Sequence, residues 1–201
     1  VRGWVPKVEA ALAGQGDAGR AAALASRFAA EFPDHYRSRY GAEGAAQDIL
    51  RLHGLSDAHG RSVRLAQSSL DGDDRLRLKV YSATGPIPLS DIVPAMEHFG
   101  FQVLQDVPTA LNPPRDGGAH GDARLYIHDF LLKNPPAIDE KALLPHVQMI
   151  EDAIAAVLTG QHEDDSFNQL VLFTQQEPQT IGWLRAWFRF LRQGGFLYGM
   201  D

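Results

Sequence analysis

The 201-residue chain contains no cysteine, which excludes disulfide scaffolds, cysteine nucleophiles and thiolate metal sites. Basic side chains are outnumbered by acidic ones, and the formal net charge of -6 argues against a nucleic-acid partner, because such proteins usually carry a basic face. No apolar run approaches the roughly 18 residues of a membrane span, and no signal-peptide pattern is present. We therefore expect a cytoplasmic protein with no nucleic-acid or membrane partner. The chain does not begin with methionine, which suggests that it was cut from something longer.

Sequence motifs for chemistry are also missing. The eight histidines show no ligand spacing such as HExxH, so scattered surface histidines are expected and no metal site is predicted. The glycine-rich residues 117–121 do not match a dinucleotide fingerprint. Residues 71–74 superficially resemble a calcium loop, but the glycine at its sixth position and its distal glutamate are absent, and a hairpin turn is expected. We predict no catalytic residue, no metal and no cofactor within this chain.

What the chain does contain is a hydrophobic fraction of 44%, enough for a real core. Residues 1–58 read as helical, with Asp17 as a helix cap and Leu24, Phe28 and Phe32 spaced by four. This pattern predicts an N-terminal helical segment.

The character of the sequence changes near Gly60. Residues 61–68, 75–81, 101–107 and 124–132 read as strands, and the alternation in the second predicts a half-buried strand. Residues 124–132 are apolar on both sides, which favours a central position in the sheet. A helix capped by Ser90 falls between the second and third strands. The order predicts an α+β fold with an antiparallel ferredoxin-like sheet, helices on one face, and flanking helical segments.

The last predicted helix, residues 177–193, is apolar on two faces. One stripe contains Ile181, Leu184, Phe188 and Leu191, and the other contains Trp183, Trp187 and Phe190. Both faces need a cover. The helix is either the central core helix of the domain, or a helix whose natural neighbour lies downstream, or one covered by self-association.

The loop between the second strand and the next helix is the best candidate for ligand binding. Amide groups at a helix N-terminus can receive a carboxylate, and Gly85 lets the backbone approach a ligand closely. An ordinary strand-to-helix connection is the alternative. The candidate effector residues are Thr84, Gly85, Ile87, Leu89 and Ser90.

Six segments in register carry a resemblance to a known family. They are residues 76–81, 88–100, 126–130, 150–153, 167–172 and 184–193. Together they resemble the N-terminal half of the large bacterial NAD-specific glutamate dehydrogenases, over roughly Tyr36 to the C-terminus.

The resemblance implies a parent enzyme that deaminates L-glutamate to 2-oxoglutarate with NAD, and ACT-like modules that often bind amino-acid effectors. It implies three segments: helical residues 1–58, an ACT-like α+β domain at residues 60–135, and helical residues 136–201 leading to a catalytic domain beyond this chain. No catalytic residue of the family falls on this chain. The implied partners are that catalytic domain, further copies in a homo-oligomer, and an amino-acid effector.

Two other functions stay open at this point. The chain could be a stand-alone amino-acid-binding module that uses the loop around Gly85. It could also be an unrelated small enzyme with a dispersed acid–base site, which a pocket lined by His128, Asp129 and another carboxylate would favour.

Overall fold

A computed structural model describes residues 3–55, 60–67, 75–112, 124–135, 138 and 143–195. Within these residues there are seven α-helices and four strands. The helices are α1 (Trp4–Ala13), α2 (Ala18–Phe28), α3 (Asp34–His53), α4 (Leu89–His98), α5 (Val147–Leu158), α6 (Gln169–Thr174) and α7 (Pro178–Gln193). The strands are β1 (Arg61–Gln67), β2 (Arg75–Ser82), β3 (Gln102–Leu111) and β4 (Leu125–Lys133). Short 3₁₀ turns occupy Ala29–Glu31, Leu144–His146 and Ser166–Asn168.

The strands form one antiparallel sheet in the order β1-β2-β4-β3. The connection through α4 carries the chain from β2 to β3 and leaves one position open, which β4 fills. This is a split βαβ arrangement of the ferredoxin-like kind. The predicted α+β class is confirmed, and so is the central position of β4.

The chain divides into two compact units, and each strand contributes residues to both. Unit 1 comprises Val1–Arg64, Leu78–Ile87 and Gln105–Phe130, and unit 2 comprises Leu65–Arg77, Pro88–Leu104 and Leu131–Asp201. Each unit has its own buried apolar residues and is described separately below.

The core of unit 1 forms where α1, α2 and α3 pack together. The side chain of Asp17 accepts the amide of Arg20 at 2.8 Å, which confirms the predicted cap of α2. Gly41 interrupts α3 with φ 63° and ψ -175°, a conformation that glycine adopts without a steric penalty. The helix runs from Asp34 to His53 across this break.

The core of unit 2 forms where α4 packs on α5. Ile92, Met96, Ile150 and Ile154 are buried there. The buried carboxylate of Glu151 on α5 accepts the amide of Leu65 at 2.8 Å, so a helix side chain satisfies a donor of the edge strand β1.

Two local predictions are wrong. β2 is buried from Leu76 onward instead of half-buried. Ser90 does not cap α4, because the helix already begins at Leu89 and the Ser90 hydroxyl bonds to the Asp91 carboxylate. Of the alternatives for α7, the structure does not support a central core helix, since Ile181 and Arg185 are its only buried residues. None of the described helices is both long and apolar enough to cross a membrane.

Candidate functional site

The predicted effector residues follow the end of β2. In unit 1, Thr84 is exposed, Gly85 is half-buried with φ 114°, and Ile87 is buried. In unit 2, Leu89 and Ser90 are exposed in the first turn of α4. No ligand contact tests their predicted role, which stays a prediction.

A histidine on β4 anchors this loop in unit 1. The amide of Ile87 donates to Nε2 of His128 at 3.2 Å, and Nδ1 of the same ring lies 3.2 Å from a carboxylate oxygen of Asp106. Because Nε2 accepts, Nδ1 must carry the proton and donate to Asp106. His128 is buried, so the prediction of surface histidines is wrong at this position. The Ile87 amide is therefore already bonded and is not offered to a ligand carboxylate.

Further polar groups of the loop are also hydrogen-bonded. The amide of Ala83 donates to the Gly60 carbonyl at 3.0 Å. Ser82 accepts the Thr84 amide at 3.3 Å and donates its hydroxyl to the Gly85 carbonyl at 2.7 Å. Pro86 and Pro88 have no amide hydrogen to offer. These bonds hold the loop as an ordered turn.

A second polar arrangement, the Asp48 cluster, was not predicted. It consists of Asp48 and Tyr36 on α3 with Lys79 and Tyr81 on β2, all buried. Lys79 Nζ lies 2.6 Å from one oxygen of Asp48, which also accepts the Tyr36 hydroxyl, and the Tyr81 hydroxyl donates to the other oxygen at 2.8 Å. The carboxylate is therefore satisfied on both oxygens, which is what a buried charge requires.

Further groups enclose this cluster. Lys79 Nζ lies 3.8 Å from the centre of the Tyr40 ring. The rings of Tyr36 and Tyr40, which are one helical turn apart, have centres 4.8 Å apart, and Tyr40 directly precedes the break at Gly41. Arg64 on β1 approaches Asp48 at 3.7 Å. The Lys79 ammonium thus has a carboxylate on one side and an aromatic face on another.

Burial dominates the electrostatics of the cluster. It raises the pKa of Tyr36 and of Tyr81 well above the ordinary range, and the neighbouring Asp48 charge raises both further. Both phenols therefore stay protonated and act as hydrogen-bond donors. They do not act as bases.

Asp129 on β4 is a separate buried carboxyl group in unit 1. Burial raises its pKa from 3.8 to about 7, against a lowering by the charge of Arg39. Successive residues of a strand point to opposite faces, so Asp129 faces the side of Ile127 and His128 faces the other. These two side chains therefore do not line one pocket, and the condition set for the small-enzyme hypothesis is not met.

One feature of the sequence could have predicted the Asp48 cluster. Asp48 falls between Ala45 and Leu52 on the apolar face of α3, where an acidic residue needs a buried partner. Among the described residues there is no group of three or more His, Asp or Glu side chains arranged to hold a metal ion.

Three family models match the chain in sequence. The model described as "Glutamate dehydrogenase, ACT3 domain" matches residues 61–143, and those for helical motif 2 and helical motif 3 match residues 11–55 and 162–201. The chain belongs to the glutamate dehydrogenase family. The predicted resemblance is confirmed and extends further toward the N-terminus than Tyr36.

Curated relatives in the family agree with this assignment. The NAD-specific glutamate dehydrogenase of Pseudomonas aeruginosa is 31% identical over 163 residues, which is 81% of this chain and 10% of the relative. Its namesake in Halomonas elongata is 28% identical over 178 residues, 89% of this chain and 10% of the relative. The Mycobacterium tuberculosis enzyme of the same name is 29% identical over 206 residues, 100% of this chain and 12% of the relative.

The chain thus spans about a tenth of the length of the curated relatives it matches. The boundaries predicted at residues 58–60 and 135–136 stay a prediction, because the matched segments do not test them.

Proposed function

We propose that this chain is a non-catalytic regulatory and assembly region of an NAD-dependent glutamate dehydrogenase. The observation that supports this most is the match of residues 11–55, 61–143 and 162–201 to an ACT domain and two helical motifs of that family. In the proposed enzyme, NAD and glutamate bind to a catalytic domain outside this chain, in the cytoplasm.

The polar groups of unit 1 fit a structural role. Both carboxylate oxygens of Asp48 accept hydrogen bonds from donors within the cluster. Both ring nitrogens of His128 are also hydrogen-bonded, one to the Ile87 amide and the other to Asp106. A catalytic group needs a free face toward a substrate, and these side chains are buried and bonded. We infer that they hold the sheet and its loop rigidly, so that binding or assembly at this region can be transmitted to a distant active site. Coupling between sites in proteins is typically about 1–3 kcal/mol.

The proposal is tested by assaying the purified chain for NADH formation from L-glutamate and NAD between pH 6 and pH 10. We expect no turnover above the buffer rate, and no change in melting temperature when NAD is added. Glutamate-dependent NADH formation that survives a second purification step would overturn the proposal.

A second candidate function is an amino-acid effector site at the loop. The feature that favours it is the ordered turn in which Gly85 holds φ 114° and has no heavy atom within 4 Å of where a Cβ would lie. A thermal-shift screen of the common amino acids on the whole chain tests it. A rise in melting temperature with one amino acid, lost in Gly85→Val, supports the candidate, and a flat response to all of them removes it.

A further inference from the structure

The helix α7 is attached to the rest of unit 2 by few apolar side chains. Of its sixteen residues only Ile181 and Arg185 are buried, and Phe188 adds one edge-to-face contact with Phe167 at 5.4 Å between ring centres. A cavity of about 10 Å³ remains beside Ile181, and its other apolar lining residues include Phe99, Ala153, Val157 and Val171. This space is about the size of one water molecule, so Ile181 does not fill the groove completely. Apolar packing is therefore a weak attachment for this helix.

Charged side chains attach α7 to one short acidic segment, and we call these two pairs the ionic latch. In the first pair, the guanidinium group of Arg185 bonds both carboxylate oxygens of Asp165 at 2.7 Å and 2.8 Å, and it also donates to the side-chain oxygen of Asn168 at 3.1 Å. In the second pair, Arg189 bonds both carboxylate oxygens of Glu163. Two-point pairs between guanidinium and carboxylate groups are strong and directional, so the ionic latch fixes both the position and the rotation of α7.

The acidic segment has bonds of its own that do not involve α7. Asp164, between the two residues of the latch, lies 2.8 Å from Nδ1 of His98 on α4. Asp165 accepts the amide of Phe167 at 3.1 Å, and the side chain of Asn168 donates to the Glu163 carbonyl at 3.1 Å. Loss of the two arginine pairs would therefore free the helix and leave the acidic segment in place.

A short connection directly before α7 can act as a pivot. Residues 175–177 are exposed and lie between the end of α6 and the start of α7. Gln175 has φ 55° and ψ 30°, and it is the one non-glycine residue with positive φ in the part of the chain that the structure describes. A left-handed conformation costs free energy at a residue with a side chain, so Gln175 gains by leaving it when the contacts of α7 are broken. A few residues that change φ and ψ at the end of a helix are what a hinge requires.

We propose that α7 is a releasable arm of unit 2, held by the ionic latch and able to swing about residues 175–177 when the latch opens. A regulatory region needs an element with two positions, and a helix held mainly by ion pairs next to a pivot is such an element. The inference rests on the proposed regulatory role and gives that role a moving part. The acidic segment, the pivot and the arm all lie within residues 162–201, the segment that matches helical motif 3.

The absence of cysteine permits a direct distance measurement on the whole chain. Spin labels at Gln148→Cys on α5 and Ala186→Cys on α7, both at exposed positions, report the separation of the two helices by double electron–electron resonance. We expect one distance at low salt. In Asp165→Asn the ratio of a second, longer distance to the first should rise about tenfold, the effect of losing one charge-assisted hydrogen bond.

A salt series on the labelled chain with an intact latch should shift the distances in the same direction. The Arg189–Glu163 pair is more than half exposed on both sides, so raising NaCl from 50 mM to 1 M screens it. This series needs no substitution in the latch, so it decides the question even if Asp165→Asn lowers the stability of the fold. Far-UV circular dichroism should stay unchanged throughout, because the arm swings as an intact helix.

The matched control is Asp164→Asn, which removes the same charge from the neighbouring residue, whose partner His98 lies on α4. It should leave the distance between α5 and α7 unchanged. A single unchanged distance both in Asp165→Asn and in 1 M NaCl overturns the inference, and so does an equal change in Asp164→Asn. A longer distance accompanied by loss of helical circular dichroism also overturns it, because α7 would then unfold instead of swinging. A fixed α7 in a chain without turnover leaves the non-catalytic proposal intact, whereas turnover of glutamate removes that proposal and leaves the arm.

Discussion

Asp129 offers a test in which charge is changed and shape is kept. The variant Asp129→Asn replaces a buried carboxyl group on β4 with an amide of nearly the same size. In the folded chain, burial raises the pKa of Asp129 from 3.8 to about 7, so ionisation above that pH places a poorly hydrated charge in unit 1. The amide has no such ionisation.

The sign and size of the effect follow from proton linkage. Between pH 3.8 and about 7 the folded state binds the Asp129 proton more tightly than the unfolded state does, so stability falls as pH rises through this window. A shift of about three pKa units corresponds to a full penalty of about 4 kcal/mol, of which roughly 2.5 kcal/mol develops between pH 5 and pH 8. The variant should therefore gain about 2.5 kcal/mol over the wild type on going from pH 5 to pH 8.

The measurement is urea unfolding of both proteins at pH 5 and pH 8, followed by circular dichroism. Because other groups titrate equally in both proteins, the difference between them isolates Asp129. The exposed carboxylate of Asp152 provides the control, since Asp152→Asn should shift stability by the same small amount at both pH values. An Asp129→Asn difference that is equal at pH 5 and pH 8 would refute the argument that burial governs this group.

Two further predictions concern unit 1. Lys79→Met should lower the free energy of unfolding by about 3 kcal/mol, because it leaves the Asp48 charge buried without its nearest cation, and adding Asp48→Asn should restore part of the loss in denaturant titrations. A double variant whose loss equals the sum of the single losses would contradict this coupling. Gly85→Ala should lower the free energy of unfolding by about 1–2 kcal/mol, because the φ of 114° at this position is strained for any residue with a side chain. The control Gly16→Ala should leave stability nearly unchanged. Equal shifts in melting temperature in the two variants would contradict the strain assigned to position 85.

Much of the fold followed from residue periodicity. All four strands were predicted, the second from its period-two pattern, and apolar residues on both sides of residues 124–132 placed β4 inside the sheet. The spacing of apolar residues indicates only which face of a helix or strand is buried, and it predicts that a charged side chain is exposed. For that reason the prediction of a half-buried β2 leaves no place for Lys79 in the core, whereas Lys79 is buried against Asp48, 31 residues earlier in the chain. Pairing across such a distance depends on how α3 and β2 meet, which local sequence does not encode.

The candidate site was predictable to a smaller extent. Gly85 and the prolines marked a loop before α4, but the bond between the Ile87 amide and His128 joins residues 41 positions apart. The sequence predicted two apolar stripes on α7, of which Ile181 is the only buried member. The buried side of α7 is held instead by the ion pair of Arg185 with Asp165, two residues that sequence patterns treat as ordinary surface charges.

The strand order has a consequence for how the chain is made. β4 is the last of the four strands of this sheet to be synthesised, yet it occupies the gap that the chain left between β2 and β3. Until residue 133 has been synthesised, these two neighbours each keep a row of amide and carbonyl groups without a sheet partner. A nascent chain halted shortly before Leu125 therefore carries two strands, β2 and β3, whose unpaired edges can pair with another chain. Nonsense products that end there should precipitate more readily than products that end just beyond Lys133.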